Sequence, residues 1–539
     1  MSVIDTRMWR ATTNLILAGV FILSSRPFLA FASTAELSRS TNQSTADISP
    51  IDAVINNNLP EATANCNDHR TITISGLELL SKQTRTQILN NMPACVEEEK
   101  LNQFSRLITA AFISAGYPKI QISNQSSSDN EEVRLHIEPR RIHNIVGAST
   151  TINLSLIFPN YKNHPFLNVD DLDQGLEQIN RLSSNQAEIE IYSSADNDVT
   201  IYLINQEKSR FHGSLTIDNT GQSGTGKMVE RAHFSIDSPL GLSDFMAFGG
   251  SKSSSSRSAY FSYDIPWGYW LLSANISKSD YQSLLQLTNS LARQSGQTPQ
   301  NSVRLERVIQ RNENTVTKIF GQLSRTNTRS ELLNSVIDVQ SPTITKSQLG
   351  FNRTSLFSSS SLTTNVEWQR GLGLFNATAD ATNISADYPH ARFDKFLLSA
   401  NLSGNTPIKN QALIYEHQFF AQYSSQHLYA IEQFSATDRS SVRGLSDWGA
   451  AGDSGFTLRN TFSLPFNQYS VFSRPRLGLD AGEVWNAGEN HQRQKTVSAS
   501  IGLTLQVKTA TLDVEYARGK TSLMPMLVNK FTATGSWSF

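Results

Sequence analysis

The amino-acid sequence predicts a transmembrane β-barrel of about 16 antiparallel strands, preceded by two small α+β domains. The prediction rests on an export signal at the N-terminus, on two successive α+β patterns in the first part of the chain, and on alternating segments over residues 207–539. About 330 residues follow the second α+β pattern, which is enough for roughly 16 membrane strands with their turns and loops.

The composition narrows the classes of protein to which the chain can belong. Its 539 residues include 46 Lys and Arg against 47 Asp and Glu, and only 17% of the residues are charged. This balance lacks the basic character of nucleic-acid binding, and we expect no nucleic-acid partner. The mean hydropathy of −0.32 excludes a bundle of transmembrane helices, since each helix would need about 20 mainly apolar residues. A polar chain with few charges is compatible with secreted or outer-membrane β-proteins.

The N-terminus has the layout of a secretory signal peptide. Arg7 and Arg10 precede the apolar run Leu15–Leu23, and residues 30–32 form an A-x-A-like cleavage site. We therefore predict that the chain is exported and that residues 1–32 are removed. The alternative is an uncleaved anchor.

A polar segment, residues 33–65, follows as a leader or linker with a short candidate helix at Ile51–Asn57. Cys66 and Cys95 are the two cysteines of the chain. In an exported protein we expect such a pair to form a disulfide, and closing a loop of about 30 residues removes roughly 3–4 kcal/mol of unfolded-state entropy. Nothing around either cysteine resembles a redox motif or a metal-binding motif.

Two patterns of about 70 residues each predict the α+β domains, over residues 66–139 and 140–206. In each pattern a short alternating strand is followed by one helix face and then by two more strands. The first pattern places these elements at 72–74, 101–115, 120–123 and 133–137, and the second at 142–146, 172–182, 188–192 and 199–203.

From residue 207 onward strand alternation replaces the helical periodicity. The clearest segment is 497–507, where apolar residues alternate with small and polar ones. A tilted membrane strand needs about 9–11 residues, so this segment is long enough to span a bilayer. Asp513 and Glu515 lie opposite the apolar face of the next segment. Ionised carboxylates there suit a watery lumen better than the packed core of the alternative fold, a soluble β-sandwich.

The last alternating segment ends on an aromatic residue. Phe531, Ala533, Trp537 and Phe539 share one face of this segment. A terminal aromatic that closes an alternating strand resembles the signal by which bacterial outer-membrane barrels are assembled. We expect Trp537 and Phe539 to form this signal, with the barrel assembly machinery and periplasmic chaperones as partners.

Two enzyme motifs nearly appear. The segment 221–227 satisfies G-x-x-x-x-G-K, but Met228 replaces the hydroxyl residue that binds Mg²⁺ and no helix pattern follows, so a glycine-rich hairpin turn is the simpler interpretation. Residues 452–455 read GDSG, like the nucleophile segment of trypsin-like proteases, but no His and Asp setting completes a triad. We therefore predict no enzyme activity, no catalytic residue, no metal and no cofactor.

The most specific motifs lie before the last strands. Ser441–Leu445 reads SVRGL, and residues 452–460 read GDSGFTLRN. Gly478, Asp480 and Gly482 form a G-x-D-x-G motif further along the chain. These motifs resemble the two signatures of the outer-membrane assembly and secretion superfamily.

This resemblance implies a role for each motif. In the transporters of the superfamily a long extracellular loop folds back into the barrel, and its VRG(Y/F) tip pairs with the Asp of an inner-wall strand. Val442, Arg443, Gly444 and Leu445 would be that tip, and Asp480 would be the partner of Arg443. A guanidinium and a carboxylate can form a bidentate, charge-assisted pair that pins a long loop in a wet cavity. Leu445 replaces the usual aromatic, and the alternative is an ordinary turn.

Other segments extend the resemblance over nearly the whole mature chain. Residues 180–186, NRLSSNQ, are similar to the second POTRA domain of two-partner secretion transporters, so the two α+β domains would be POTRA 1 and POTRA 2. Cys66 and Cys95 fall where this family often places a disulfide. Family members commonly carry an N-terminal plug helix, but the helical pattern of Ile51–Asn57 is too weak to predict one.

The function that the resemblance implies is export of one large exoprotein, of the hemolysin, adhesin or contact-dependent toxin type, with or without its activation. The barrel would lie in outer-membrane lipid. The POTRA domains would lie in the periplasm and bind the partner's secretion domain through a sheet edge. Two alternatives stay open: an insertase for other outer-membrane proteins, which usually carries more POTRA domains, and a passive porin, which needs none.

Overall fold

The structure is a computed structural model that describes residues 70–94, 96–124, 132–147, 151–159, 165–193, 198–286, 291–383, 385, 388–447, 449–488, 493–522 and 524–539. The predicted signal peptide, the leader with Ile51–Asn57, and the predicted Cys66–Cys95 disulfide lie outside these residues. Within them, no helix combines the length and the hydrophobicity that crossing a membrane would require.

The first α+β unit packs two helices on a three-stranded sheet. Its strands run in the order β1-β3-β2, with β1 parallel and β2 antiparallel to the central β3. Phe104, Ile108 and Phe112 recur every fourth residue on one helix face and are buried against the sheet. The elements are β1 Thr71–Ser75, α1 Lys82–Asn90, α2 Glu98–Ser114, β2 Ile120–Asn124 and β3 Glu132–Pro139.

The second α+β unit has the same arrangement, with strand order β4-β6-β5. Leu172, Leu176 and Ile179 form the buried face of its main helix. All eight predicted strand and helix segments of the two units are present, while α1 and α3 were not predicted. The elements are β4 Ile142–Val146, α3 Leu154–Ile157, α4 Val169–Asn180, β5 Ala187–Ser193 and β6 Val199–Asn205.

The rest of the chain forms a closed barrel with a wall of 16 antiparallel strands, which confirms the predicted fold class. The wall strands are β7 Phe211–Asp218, β8 Val229–Asp237, β9 Phe245–Lys252, β10 Ser256–Trp267, β11 Trp270–Gln286, β12 Leu291–Asn312, β13 Thr315–Asn327, β16 Thr343–Leu356, β17 Ser360–Leu372, β18 Asp394–Ile408, β19 Gln411–Ser424, β22 Ser454–Ser463, β24 Val471–Trp485, β25 Gln494–Val507, β26 Ala510–Thr521 and β27 Met524–Ser538. Short strands in the connections are β14 Arg329–Leu332, β15 Ser335–Val336, β20 Phe434–Ser435, β21 Ala451–Gly452 and β23 Phe466–Gln468.

The two faces of the wall differ as the alternation predicted. On β25, Val497 and Ile501 are 54% and 63% exposed on the outer face, whereas Ser498 and Ser500 are buried on the inner face. Large apolar side chains are exposed in this way on many of the strands, and a soluble protein rarely exposes a continuous apolar surface of this kind. The outer face is therefore suited to lipid and the inner face to a polar lumen.

The barrel closes between its first and last strands, β7 and β27. The amide of Phe539 donates to the carbonyl of Gly213 (3.0 Å), and the amide of Gly213 donates to the carbonyl of Phe539 (2.9 Å). The ring of Phe539 covers Gly213 so closely that a Cβ there would lie 2.3 Å from a ring carbon. Phe234 and Trp537 flank the ring, with centroids 6.1 and 5.0 Å away. The predicted aromatic face therefore lies directly on the closing seam.

The second α+β unit is docked on the turns at one end of the barrel through the NRLSSNQ segment. The guanidinium of Arg181 donates to the carbonyl of Ser243 (2.7 Å). The carboxylate of Asp237 accepts from the amide of Ser184 (2.7 Å) and from the hydroxyl of Ser183 (3.2 Å). This motif joins the unit to β8 and to the turn that follows β8.

A second part of this junction is rich in carboxylates. Three carboxylates lie in the first turns of α4, namely Asp170, Asp171 and Asp173. The barrel residues that face them are Arg311, Glu313, Lys318 and Tyr269. Burial raises the pKa of Asp173 to about 7 and that of Asp170 to about 6, and Arg311 offsets only part of this effect. Lys318 and Arg311 outweigh the burial of Glu177 and keep its pKa low. Asp170 and Asp173 are thus the groups that change charge near neutral pH.

We predict that the junction becomes more stable as the pH falls. The folded pKa values of Asp170 and Asp173 lie above the ordinary value of 3.8, so ionisation destabilises the docked state as the pH rises through about 6–7. Hydrogen exchange of the α4 amides, corrected for intrinsic rates, is therefore expected to be slower at pH 5 than at pH 8. Asp173→Asn should reduce this difference between the two pH values. An equal pH dependence of the exchange rates in the variant and the wild type would contradict the role given to Asp173.

We also predict that Gly213→Leu hinders closure of the barrel, because the added side chain occupies the place of the Phe539 ring. The folded fraction, measured by heat-dependent gel mobility, should fall. Gly535→Ala is the matched control on the last strand, since a Cβ there meets nothing within 4 Å. Equal folding of the two variants would show that the seam tolerates a different position of Phe539.

Candidate functional site

The long loop between β19 and β22 turns into the barrel and presents the SVRGL segment to the inner wall. Val442 and Leu445 are completely buried, and Arg443 is only 6% exposed. The partners of Arg443 lie on β22, β24 and β26, so the tip is held by one side of the wall.

Arg443 is the centre of the contact. Its Nη1 lies 2.9 Å from Oδ1 of Asp480 and 3.1 Å from the carbonyl of Asn460. Its Nη2 donates to the hydroxyl of Thr461, and its Nε lies 3.5 Å from a carboxylate oxygen of Glu515. The structure thus places the two residues of the predicted ion pair together. A buried guanidinium requires such partners, since an unpaired buried charge is strongly unfavourable.

The geometry of the pair differs from the expected bidentate guanidinium–carboxylate contact. Only Nη1 of Arg443 reaches Asp480, and the second carboxylate oxygen accepts from the backbone amide of Arg443 (3.0 Å). Ser498 donates to the same oxygen at 3.2 Å. The guanidinium lies alongside β24 and donates through Nη1 and Nη2 to β22, so Asp480 fixes both the backbone and the side chain of Arg443.

The G-x-D-x-G motif provides the space for this arrangement. Arg476, Gly478, Asp480 and Gly482 follow each other on the inner face of β24. A Cβ on Gly478 would lie 1.9 Å from Nη1 of Arg443, so the guanidinium occupies the space that a side chain would fill. Small hydroxyl residues flank Gly478 in register, Thr461 on β22 and Ser500 on β25. Close approach of the guanidinium to the strand therefore requires glycine at this position.

The rest of the loop tip packs against β26. Gly444 has φ +80°, a backbone conformation that favours glycine, and a Cβ there would lie 2.9 Å from Cβ of Ala517. Leu445 lies against Gly519, where a Cβ would meet Cγ of Leu445 at 2.9 Å. Leucine thus fills the position that is usually aromatic in the superfamily motif, and the tip remains tightly packed.

Charged residues on the neighbouring strands extend the network. Arg476 makes two contacts with Asp513, at 2.6 and 2.8 Å, and its Nε lies 3.2 Å from Glu515. Glu515 therefore lies between Arg476 and Arg443. The alternation predicts that Asp513 and Glu515 face the lumen, but it does not predict their partner Arg476. The available signal was the charge on the polar face of an alternating strand.

The two enzyme-like motifs have structural roles. Residues 219–228 form the hairpin connection between β7 and β8, as predicted, closed by a hydrogen bond from Gly221 to Lys227 (2.9 Å). Asp453 of the GDSG segment is buried at the base of the inward loop, where it accepts from Leu428 and Ala487 amides at 2.8 Å and contacts His427 at 2.7 Å. In the described part of the chain, no group of three or more His, Cys, Asp or Glu residues is arranged to hold a metal ion.

A polar-lined barrel with an α+β unit docked at one end defines a class of outer-membrane β-barrel proteins. A model of the family described as haemolysin secretion/activation protein ShlB/FhaC/HecB matches residues 198–505, and a POTRA domain model matches residues 140–192. The chain belongs to the haemolysin secretion/activation protein family. It is an outer-membrane transporter of the two-partner secretion type, with its α+β end in the periplasm.

Individual relatives agree with this assignment. The chain is 29% identical over 456 residues to the hemolysin transporter protein HpmB of Proteus mirabilis, covering 83% of this chain and 81% of HpmB. It is 27% identical over 448 residues to the outer membrane transporter CdiB of Dickeya dadantii, covering 81% of this chain and 79% of that protein. The solved structure of CdiB from Escherichia coli has the same fold, with a TM-score of 0.79 at 24% identity over 90% of this chain and 93% of that one.

The close approach at Gly478 leads to a prediction about the loop. Gly478→Ala should displace the guanidinium of Arg443 and release the loop, because the added Cβ would lie 1.9 Å from Nη1. When trypsin is added to intact cells, it is expected to cleave the variant after Arg439 and to leave this site uncut in the wild type. Gly321→Ala is the control within the barrel, since its Cβ would make an ordinary contact of 3.6 Å. Equal protection of Arg439 in both variants would contradict the prediction.

Proposed function

We propose that this transporter exports one large exoprotein, of the hemolysin, adhesin or contact-dependent toxin type, and that the Arg443–Asp480 contact sets the position of the loop in its pore. The observation that supports the proposal best is a buried guanidinium held at mid-wall by three strands of a polar-lined barrel. The roles given to Val442, Gly444 and Leu445 are part of this proposal.

The periplasmic units provide a surface for the client. We infer that the first unit is POTRA 1, because it repeats the strand order of the unit that matches the POTRA model. Within the described residues β2 is an edge strand that pairs with β3 alone. A groove of about 400 Å³ lies beside it where the two units meet, lined by Ile120 and Ile122 of β2, by Thr109 of α2, and by Ser193 and Val199 of the second unit. An extended client segment could add to this edge through backbone hydrogen bonds, with its side chains in the groove.

The client would then cross the barrel as an unfolded chain. Neither ATP nor a proton gradient is available at the outer membrane, so folding of the β-rich exoprotein outside the cell is the driving force in this proposal. The barrel needs no catalytic group for this task, and we assign it no enzyme activity. We further propose that Trp537 and Phe539 are recognised by the barrel assembly machinery before they form the seam.

The two alternative functions differ in their requirements. An insertase acts on other outer-membrane proteins and would change their abundance in the membrane. A passive porin needs no periplasmic unit fixed to its turns, whereas here Arg181, Ser183 and Ser184 fasten such a unit to the barrel. The docked unit thus favours a barrel that acts on a protein delivered from the periplasm.

We predict that Arg443→Ala leaves the protein in the outer membrane but sharply lowers export. Removing one partner of a buried ion pair costs roughly 3–5 kcal/mol, so the balance between pinned and released loop should change by about 10²-fold or more. Supernatants are compared by mass spectrometry for a deletion strain complemented with the wild type, with Arg443→Ala or with nothing. One very large protein should be present in the wild-type supernatant and strongly reduced or missing in the other two supernatants.

Arg329→Ala is the control for this experiment, because Arg329 forms only an exposed ion pair with Glu331 near the outer end of the barrel. Its supernatant should match the wild type. Unchanged export by Arg443→Ala would contradict the role of the loop tip. A fall in several outer-membrane proteins instead of one supernatant protein would favour the insertase.

A further inference from the structure

Ion pairs of the inward loop also reach the wall away from the Arg443 site. Glu432 contacts Lys346 of β16 and Lys395 of β18, with shortest distances of 2.7 Å to each ammonium group. Asp447 contacts Lys530 of β27 at 3.0 Å. Counted around the wall from β7, β16 is the eighth strand and β27 the sixteenth. β18 is the tenth strand, so the two contacts lie six to eight strands apart on the sixteen-strand wall, and the loop spans the lumen between them.

The Glu432 contact is the more deeply buried of the two. Glu432 is only 4% exposed, and both of its carboxylate oxygens accept from Lys346, at 2.7 and 2.9 Å. Its backbone carbonyl accepts from Lys395 (3.0 Å) and from Gln422 (3.1 Å). One turn of the loop is thus fixed by groups from three wall strands, β16, β18 and β19.

An apolar cluster next to this contact excludes water. Leu428 of the loop packs with Ile344, Ala391 and Phe393, and each of the four is about 1% exposed. Lys395 lies 5.6 Å from the ring centroid of Phe393. In this dry setting the two ammonium groups depend on Glu432 for compensation, because removing the carboxylate would leave two buried like charges beside each other.

We propose that Glu432 is a positioning residue that holds the inward loop across the outer mouth of the pore and keeps the resting channel closed. This inference rests on the proposed role of the loop in export. Its action differs from that of Arg443, which fixes the tip to the next strands of the wall, β22, β24 and β26, and remains in place when Glu432 releases. Loss of Glu432 should therefore open the channel, whereas loss of Arg443 should sharply lower export.

The test measures channel opening in planar lipid bilayers, which requires no client. Purified full-length wild type is compared with Glu432→Gln, and with the exchange Glu432→Lys plus Lys346→Glu, which keeps one carboxylate and two ammonium groups in the cluster and restores an ion pair between the loop and β16. The ratio of open to closed time should rise at least about tenfold in Glu432→Gln, equivalent to about 1.4 kcal/mol. The exchange should return it towards the wild-type value.

Glu331→Gln is the matched control, because Glu331 is ion-paired to Arg329 at 2.8 Å near the same end of the barrel without touching the loop. It should open no more often than the wild type. Wild-type opening in Glu432→Gln would overturn the proposal, as would a rise that the charge exchange does not reverse. If Glu432→Gln opens the channel in bilayers but Arg443→Ala leaves export unchanged, the result would count against the proposed function alone.

Discussion

Burial of the Arg443 guanidinium determines which residues the adjacent barrel wall can carry. Arg443 can leave water only if hydrogen-bond acceptors and negative charge replace its hydration, and the wall supplies both from three strands. It also needs space, which Gly478 provides by having no side chain. Gly478, Asp480 and Glu515 on this part of the wall thus all serve one side chain that comes from a loop.

Much of the architecture could be predicted from the sequence, because a wall with one face in lipid and one face in water requires residues to alternate between apolar and polar. The pairing of Arg443 with Asp480 follows from the resemblance of their motifs, since the separation of two residues in the sequence does not indicate a contact between them. The partners on β22 could not be predicted, since a backbone carbonyl such as that of Asn460 has no signature. Helix α1 was missed because Ile88 is its single buried residue, which leaves no apolar face to detect.

The NRLSSNQ segment shows how a motif can be recognised without its physical meaning. Its resemblance identified a POTRA domain, while its contacts with Asp237 and Ser243 fasten that domain to the first barrel strands. Such contacts join elements more than fifty residues apart, and only the folded chain shows the pairing. These contacts hold the second unit against the turns at one end of the barrel.

Ionic anchoring of the loop is consistent with a pore that must both close and open. A barrel of 16 strands is too wide for its wall side chains to fill, so closure requires an inserted segment. An apolar plug would expose its whole surface to water on leaving the wall, at roughly 25 cal/mol per Å². Charged groups such as Glu432 and Lys346 regain hydration when they separate, which offsets much of the lost attraction. Under the proposed function, ion pairs would therefore hold the loop in the resting state and still permit its release when a client enters.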